Sequence, residues 1–320
     1  MQLYDFLCKE LFVSKQEIDD FVLSAPKMYK VYSIPKRTSG KRVIAQPAKR
    51  LKDYQRALIS LLEQILPVHK SAFAYRKNLS VKENAMQHQN SSYLLKMDFQ
   101  NFFYSITPDL FFSVLQNLNI SVSSEDYYLL TQLLFFCPSK KTGGKLVMSI
   151  GAPSSPFISN SIMFFFDTAV YEVCLSKGIT YTRYADDLTF SCNKKNSLFD
   201  LPALIKQFLV EHFKGRIIIN ESKTVFSSKA NNRHVTGITI TNDDCLSIGR
   251  QRKRYISSLI HQFSLKQLPE EDISYLQGLL AFACHIEPHF KESMIKKYSF
   301  ETISQIITSA RTGHEKKELC

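Results

Sequence analysis

The chain has 320 residues, 44% of them hydrophobic, and a formal charge of +12 at pH 7, which excludes a disordered chain and allows one large or two modest cores. The charge is uneven: between Lys27 and Arg56 there are ten Lys or Arg against one acid, Asp53, a local balance of +9 that points to a polyanionic partner. Seven cysteines are scattered singly with no CxxC pair, and the start, MQLYDFLCKELF, lacks the regions of a signal peptide, so a soluble protein of a reducing cytoplasm is expected, without membrane association.

In chain order, Ser14 followed three residues later by Glu17 has the form of a capping box and opens a short helix that runs toward Pro26. The stretch KVYSIPKRTSGKRVIAQP places strand-like residues on either side of TSGK and predicts a basic β-hairpin. Tyr29, Tyr32, Tyr54 and Tyr75 are interleaved with the basic residues, which suits a groove for phosphates and bases better than a merely solvated face. Apolar residues at helical spacing from Leu51 to Ile65 predict a helix over 49–66, stopped by Pro67. YLLKMDF then reads as a buried strand ending in a single carboxylate, Asp98, and helices are expected over 109–118 and 125–136. After GAPSSP, residues 157–175 are apolar enough for one core helix, the run around Phe164 to Phe166 being interrupted by Asp167, with the YADD hairpin following. A helix over 202–213 leads into RIIIN, read as a strand, and HVTGITI at 234–240 reads as a strand with an internal glycine. From Ile248 the pattern turns helical, with Arg250, Arg252, Lys253 and Arg254 loading the start and Ile256, Leu259, Ile260 and Phe263 on one apolar face. A boundary is expected near Asp243.

Within YTRYADDLTF, Asp186 and Asp187 are adjacent. Adjacent acids are common as plain turn residues. Here Tyr181, Tyr184, Leu188 and Phe190 make both arms strand-like, so the turn emerges from a sheet that also holds the strand ending at Asp98. Three carboxylates meeting there repel one another unless a cation neutralises them, and an all-oxygen set suits Mg²⁺ better than zinc. Two such ions about 4 Å apart serve in-line phosphoryl transfer, which leaves nucleotidyl transfer or phosphodiester cleavage as the implied chemistry.

YADD after an upstream DFQNFF resembles the catalytic core of reverse transcriptases. ENAMQH (Asn84, Ala85, His88) and HVTGI (Val235, Thr236, Gly237) resemble the NAxxH and VTG elements of the bacterial retron type, and GAPSSP and INESKT are further matches in the expected order. The resemblance implies an α+β fold, a right-hand polymerase with fingers, a palm of antiparallel sheet plus helices, and a short helical thumb. It divides the chain into an N-terminal helical appendage (1–30), fingers and palm (31–243), a helical thumb and RNA-binding region (244–310) and a flexible tail (311–320).

By that resemblance Asp98, Asp186 and Asp187 are ligands of two Mg²⁺ ions, with Mn²⁺ as a substitute and the backbone carbonyl of Phe99 as an additional ligand. Phe103 falls at the steric gate, where an aromatic ring against the sugar excludes a 2′-hydroxyl; core packing is its plainer role. Arg42, with Lys41 or Lys36, falls on the hairpin that grips the triphosphate of the dNTP. Lys223 in INESKT is placed as the general acid for departing pyrophosphate, or is an ordinary surface lysine. Gly151 and Pro153 would let the backbone approach primer, template or nucleotide closely. The family form LPQGAP is replaced here by MSIGAP, so Ile150 stands in the glutamine position and is left out of the expected site. Asn84 and His88 either cap local structure or help recognise RNA, with Val235, Thr236 and Gly237, while Arg250, Arg252, Lys253 and Arg254 are expected to grip the RNA stem.

The implied function is a retron reverse transcriptase that copies its cognate structured noncoding RNA into single-stranded DNA joined to that RNA by a 2′,5′ branch, beside an accessory effector protein in defence against phage. The residues after 243 leave no room for an RNase H domain, so RNA removal would fall to host RNase H. Three rivals stand beside this reading: another bacterial reverse transcriptase of intron or diversity-generating type, a noncatalytic RNA-binding antitoxin or scaffold, and a metal-dependent nuclease.

Overall fold

A computed structural model describes residues 2–35 and 40–309. Lys36, part of the expected TSGK turn and the expected tail at 311–320 lie outside the described residues. The helices α1 (Leu3–Leu11) and α2 (Lys15–Val22) come first, followed by strands β1 (Tyr29–Pro35) and β2 (Lys41–Pro47), then α3 (Lys49–Leu62), α4 (Val81–Met86) and β3 (Tyr93–Asp98). Helices α5 (Phe102–Ser105), α6 (Pro108–Asn117), α7 (Ser124–Leu134), α8 (Ser155–Ile162) and α9 (Phe164–Ser176) lead to the hairpin of β4 (Thr180–Tyr184) and β5 (Asp187–Cys192). Helix α10 (Leu201–Phe213), strands β6 (Val225–Ser228), β7 (Arg233–Val235), β8 (Ile238–Ile240) and β9 (Leu246–Ser247), and helices α11 (Arg250–Ser264), α12 (Glu270–Ile286), α13 (His289–Tyr298) and α14 (Phe300–Thr308) complete the chain.

The result is an α+β fold with three antiparallel sheets: the β1–β2 hairpin, a four-stranded sheet in the order β4-β5-β3-β6, and a three-stranded sheet β7-β8-β9. Two compact units contain them. The first comprises Met1–Ser80 and Tyr93–Phe226, the second Val81–Ser92 and Ser227–Cys320.

In the first unit the four-stranded sheet is the centre. Every residue of β5 after Asp187 is buried, Thr189 and Ser191 included, so both faces of the strand are covered. Each large apolar side chain buried this way contributes about 1.5–3 kcal/mol relative to exposure. The first 30 residues are not an appendage: Leu3, Leu7, Ile18 and Val22 are fully buried in this core, and the Leu3 amide donates to Asp126 at 3.0 Å. The Ser14–Glu17 capping box is present.

The single helix expected over 157–175 is two, α8 and α9, bent by 51°. Ser159 donates back to the Pro156 carbonyl and Ser161 to that of Phe157, competition that weakens the ladder just before the break. No single helix among the described residues is long and apolar enough to cross a membrane. RIIIN forms no strand: it makes one isolated bridge, Ile219 to Phe99, through Asn220 N–H to the Asp98 carbonyl (2.7 Å) and Gln100 N–H to that of Ile218 (2.9 Å).

The second unit begins at Ser227 and not near Asp243, and it takes in the excursion Val81–Ser92. The cause is Arg233, fully buried, whose guanidinium donates to the Ser91 and Thr241 carbonyls and, at 3.1 Å, to Asp244. HVTGITI is not one strand but a hairpin: β7 and β8 pair from Arg233↔Ile240 to Val235↔Ile238, with Thr236 and Gly237 both at positive φ (46° and 80°) in the turn.

Candidate active site

The three carboxylates meet at one end of the four-stranded sheet because of register. Asp98 closes β3 directly opposite Asp187 at the start of β5, and Tyr184 pairs with Asp187 across the β4–β5 turn, which leaves Ala185 and Asp186 as its two central residues. Ala185 sits at φ 57°, a left-handed conformation that costs a residue with a Cβ about 1–2 kcal/mol. The turn is tied to the neighbouring strand by the Phe99 amide, which donates to the Asp186 carbonyl at 3.0 Å. Phe99 itself is buried and stacks on Phe102.

Crowding shows in the electrostatics. Desolvation, then Asp186 and Asp98, push Asp187 up to about 7 although it keeps solvent access, and burial followed by Asp98 raises Asp186 as well. Lys223 sets its ammonium 2.8 Å from both oxygens of Asp98, and Arg42 acts on Asp186 in the same sense, favouring its charged form. Among the described residues no three His, Cys, Asp or Glu side chains already stand as a metal cluster; the Lys223 ammonium is the cation on Asp98. The donor set nevertheless fits a hard divalent ion: three carboxylates at one strand end, all oxygen, two of them pushed toward protonation by burial and by the neighbouring carboxylates.

The same unit holds a cleft of about 410 Å³ lined by Tyr75, Phe103, Ile150, Gly151 and Pro153, with Lys52 and Arg56 among its basic residues. The sequence-expected Phe103, Gly151 and Pro153 are thus together. Ile150, left out of the expected site, lines the cleft too, and its carbonyl accepts from Ala45 N–H at 2.9 Å. Gly151 has a packing role: at φ +121° an added Cβ would lie 3.1 Å from Ile44 Cγ2 and 3.2 Å from the Ala45 carbonyl, so its lack of a side chain seats the loop on β2. Lys41 and Arg42 are exposed on β2. Tyr75, Lys52 and Arg56 were not singled out as cleft residues by motif, since only the interleaving of aromatic and basic residues marked them.

The NAxxH and VTG elements also come together, within the second unit. Asn84 Nδ2 lies 3.4 Å from Thr236 Oγ1, across 152 residues of chain. Neither Asn84 nor His88 is presented to RNA: both are fully buried, as is Val235, and burial lowers His88 to about 3, so it is neutral. Through Thr236, Asn84 supports the hairpin turn, where Gly237 is exposed. On α11, Arg250 and Arg254 are exposed, whereas Lys253 pairs with Glu287 and Arg252 lies 5.3 Å over the Phe282 ring.

Sequence comparison completes the picture. Residues 34–240 match the family described as reverse transcriptase (RNA-dependent DNA polymerase). The chain is 49% identical over 278 residues to the retron Ec83 reverse transcriptase of Escherichia coli, covering 87% of this chain and 89% of that one. It is 28% identical to the retron Ec73 reverse transcriptase of Escherichia coli, over 96% and 98% of the two chains. Against the retron Mx65 reverse transcriptase of Myxococcus xanthus it is 29% identical, over 84% of this chain and 64% of the other. Among solved structures, telomerase from Candida albicans in complex with a fragment of telomeric RNA superposes with a TM-score of 0.49 at 13% identity, over 96% of this chain and 66% of that chain. The chain therefore belongs to the reverse transcriptases, the RNA-directed DNA polymerases, and among them to the retron type.

Proposed function

We propose that the protein uses a cognate structured noncoding RNA as both primer and template, and extends it with dNTPs into multicopy single-stranded DNA that stays joined to the RNA through a 2′,5′ branch. The observation that carries the reading is the register of β3 against β5, which sets Asp98 opposite Asp187 with Asp186 on the adjoining turn. Asp98, Asp186 and Asp187, with the Phe99 carbonyl, would hold two Mg²⁺ ions, for which Mn²⁺ is a substitute. When bound, these supply charge neutralisation for the attacking hydroxyl and the leaving phosphate oxygens.

The other roles belong to the chain. Phe103 in the cleft wall stands against the sugar and rejects a 2′-hydroxyl; Tyr75, Gly151 and Pro153 shape the pocket around the nucleotide. Arg42 and Lys41 bring positive charge to the triphosphate. Lys223, held on Asp98, is the ammonium nearest the reacting groups and donates the proton to departing pyrophosphate. Arg250 and Arg254 contact RNA phosphate. A bacterial cytoplasmic setting, host RNase H for RNA removal, an accessory effector protein and a role in defence against phage complete the reading and rest on family resemblance alone.

The test is extension by purified protein given the RNA encoded beside its gene, dNTPs and Mg²⁺. The expected result is DNA covalently attached to RNA and lost in Asp186→Asn; unchanged extension in that variant would refute the site. Cleavage of the RNA without dNTP incorporation would favour the nuclease rival.

A further inference from the structure

Directly behind the catalytic turn lies a charged network without solvent access. Arg183 and Asp167 are both 0% exposed, and the guanidinium meets the carboxylate through Nε at 2.9 Å and NH2 at 2.7 Å. Tyr181 donates its hydroxyl to the same carboxylate at 2.7 Å. The remaining arm of the guanidinium, NH1, makes two bonds of 3.1 Å: one to Asn160 Oδ1, the other to the carbonyl of Ala185. Asn160 is itself fixed by donating to the Ala74 carbonyl at 2.9 Å. The backbone of Arg183 is clamped from the sheet edge, its amide on the Ser71 carbonyl (2.7 Å) and its carbonyl receiving the Phe73 amide (2.8 Å).

A buried ion pair is a poor source of net stability, since taking both charges out of water offsets their attraction. This one nonetheless touches a functionally placed atom. Ala185 is the turn residue at positive φ, a conformation that persists only where the surroundings hold it, and its carbonyl is the acceptor that Arg183 holds. We propose that Arg183 is a positioning residue for the catalytic turn: anchored on Asp167 and Asn160, it fixes the Ala185 carbonyl and thereby sets where Asp186 and Asp187 present their carboxylates. The proposal rests on the reading of those two aspartates as cation ligands. A forked donor is required, because one planar group must serve Asp167 on one side and two acceptors on the other.

The experiment compares two variants. Arg183→Lys keeps a cation on Asp167 but cannot span all four acceptors. Arg183→Met with Asp167→Leu and Tyr181→Phe replaces the network with apolar side chains. Each is measured for melting temperature, for Mn²⁺ binding by electron paramagnetic resonance without nucleic acid, and for kcat and dNTP KM in primer extension. The expected result, in whichever variant folds, is Mn²⁺ affinity lowered several-fold and kcat lowered about 10- to 100-fold, the scale of a displaced catalytic group. The dNTP KM should stay within about twofold, because the cleft is built by other residues. Wild-type Mn²⁺ affinity and kcat in a folded variant would overturn the proposal. So would failure of both variants to fold, which would assign the network to folding alone. Asp186→Asn in the same assay separates the two ideas: if it extends normally, the site reading fails, whatever Arg183 does.

Discussion

Replacing Gly151 with Ala tests how the cleft lined by Phe103 is held to the β1–β2 hairpin. The backbone there is at φ +121°, and a Cβ would meet Ile44 Cγ2 at 3.1 Å and the Ala45 carbonyl at 3.2 Å. The unfavourable φ costs about 1–3 kcal/mol, and forcing a methyl group into a packed contact adds about 1–3 kcal/mol. The carbonyl cannot move freely, since the amide of the same residue is bonded to Ile150. The sum, about 2–6 kcal/mol, corresponds to a melting temperature lowered by roughly 4–24 °C at about 2–4 °C per kcal/mol for a unit of this size. Gly143→Ala is the control: it has positive φ (+72°) but nothing within 4 Å of the added atom, so it should lose only the backbone part. Thermal melting of both variants reads the difference. Because Ile150 and Pro153 share the cleft wall with Phe103, dNTP KM should rise in Gly151→Ala and not in Gly143→Ala. Ile44→Ala should restore part of the loss by removing one of the two obstacles. Equal melting of the two glycine variants would refute the packing argument.

Three further outcomes follow from the site. Asp187 has a folded value of about 7 against an ordinary 3.8, so folding favours its protonated form and wild-type stability falls as pH rises across that interval. With chelator present, Asp187→Asn should therefore gain melting temperature over wild type between pH 4 and pH 7, with the gain levelling off above; a gain that shrinks with pH would contradict the crowding of the three carboxylates. Phe103→Ala should admit ribonucleotides, read as the ratio of kcat/KM for rNTP to that for dNTP rising by about 10-fold or more if the ring rejects the 2′-hydroxyl, whereas a pure packing role predicts loss of both activities together. Arg250→Glu and Arg254→Glu should each weaken RNA binding and reduce the salt slope by about 1, while His88→Ala should lower stability by about 2–4 kcal/mol through a buried cavity and leave that slope unchanged.

The strands that carry the site were legible because each is a short, strand-like segment with an acid at one end, Asp98 closing β3 and Asp187 opening β5, and their pairing follows once both are read as ends of one sheet. The break between α8 and α9 was not, since the run is apolar on both sides of it and the cause is serine hydroxyls bonding backward. The VTG turn was hidden by Thr236, a β-branched residue that favours strands yet sits at φ 46°. Arg183 and Asp167 escaped because a buried pair on different elements has no local spacing rule; the usable signal was a charge within each of two segments read as core, opposite in sign. The burial of Asn84 and His88 was equally unreadable: their neighbours lie beyond residue 226, and no change in composition marks residues 81–92 as belonging to a different unit.

That excursion has a consequence for synthesis on the ribosome. Residues 81–92 emerge early, but their companions, beginning with Ser227, are translated only after Tyr93–Phe226 has been made. At about 5–20 residues per second, the interval is on the order of 10 s. Until then Asn84 has no Thr236 to meet, Ser91 has no Arg233, and the first unit must close around two chain crossings whose outer ends are still unfinished. The nascent polymerase can thus complete its carboxylate-bearing sheet, apart from its edge strand β6, before the second unit exists, and strands β7, β8 and β9 then pack on a segment that has been waiting for them.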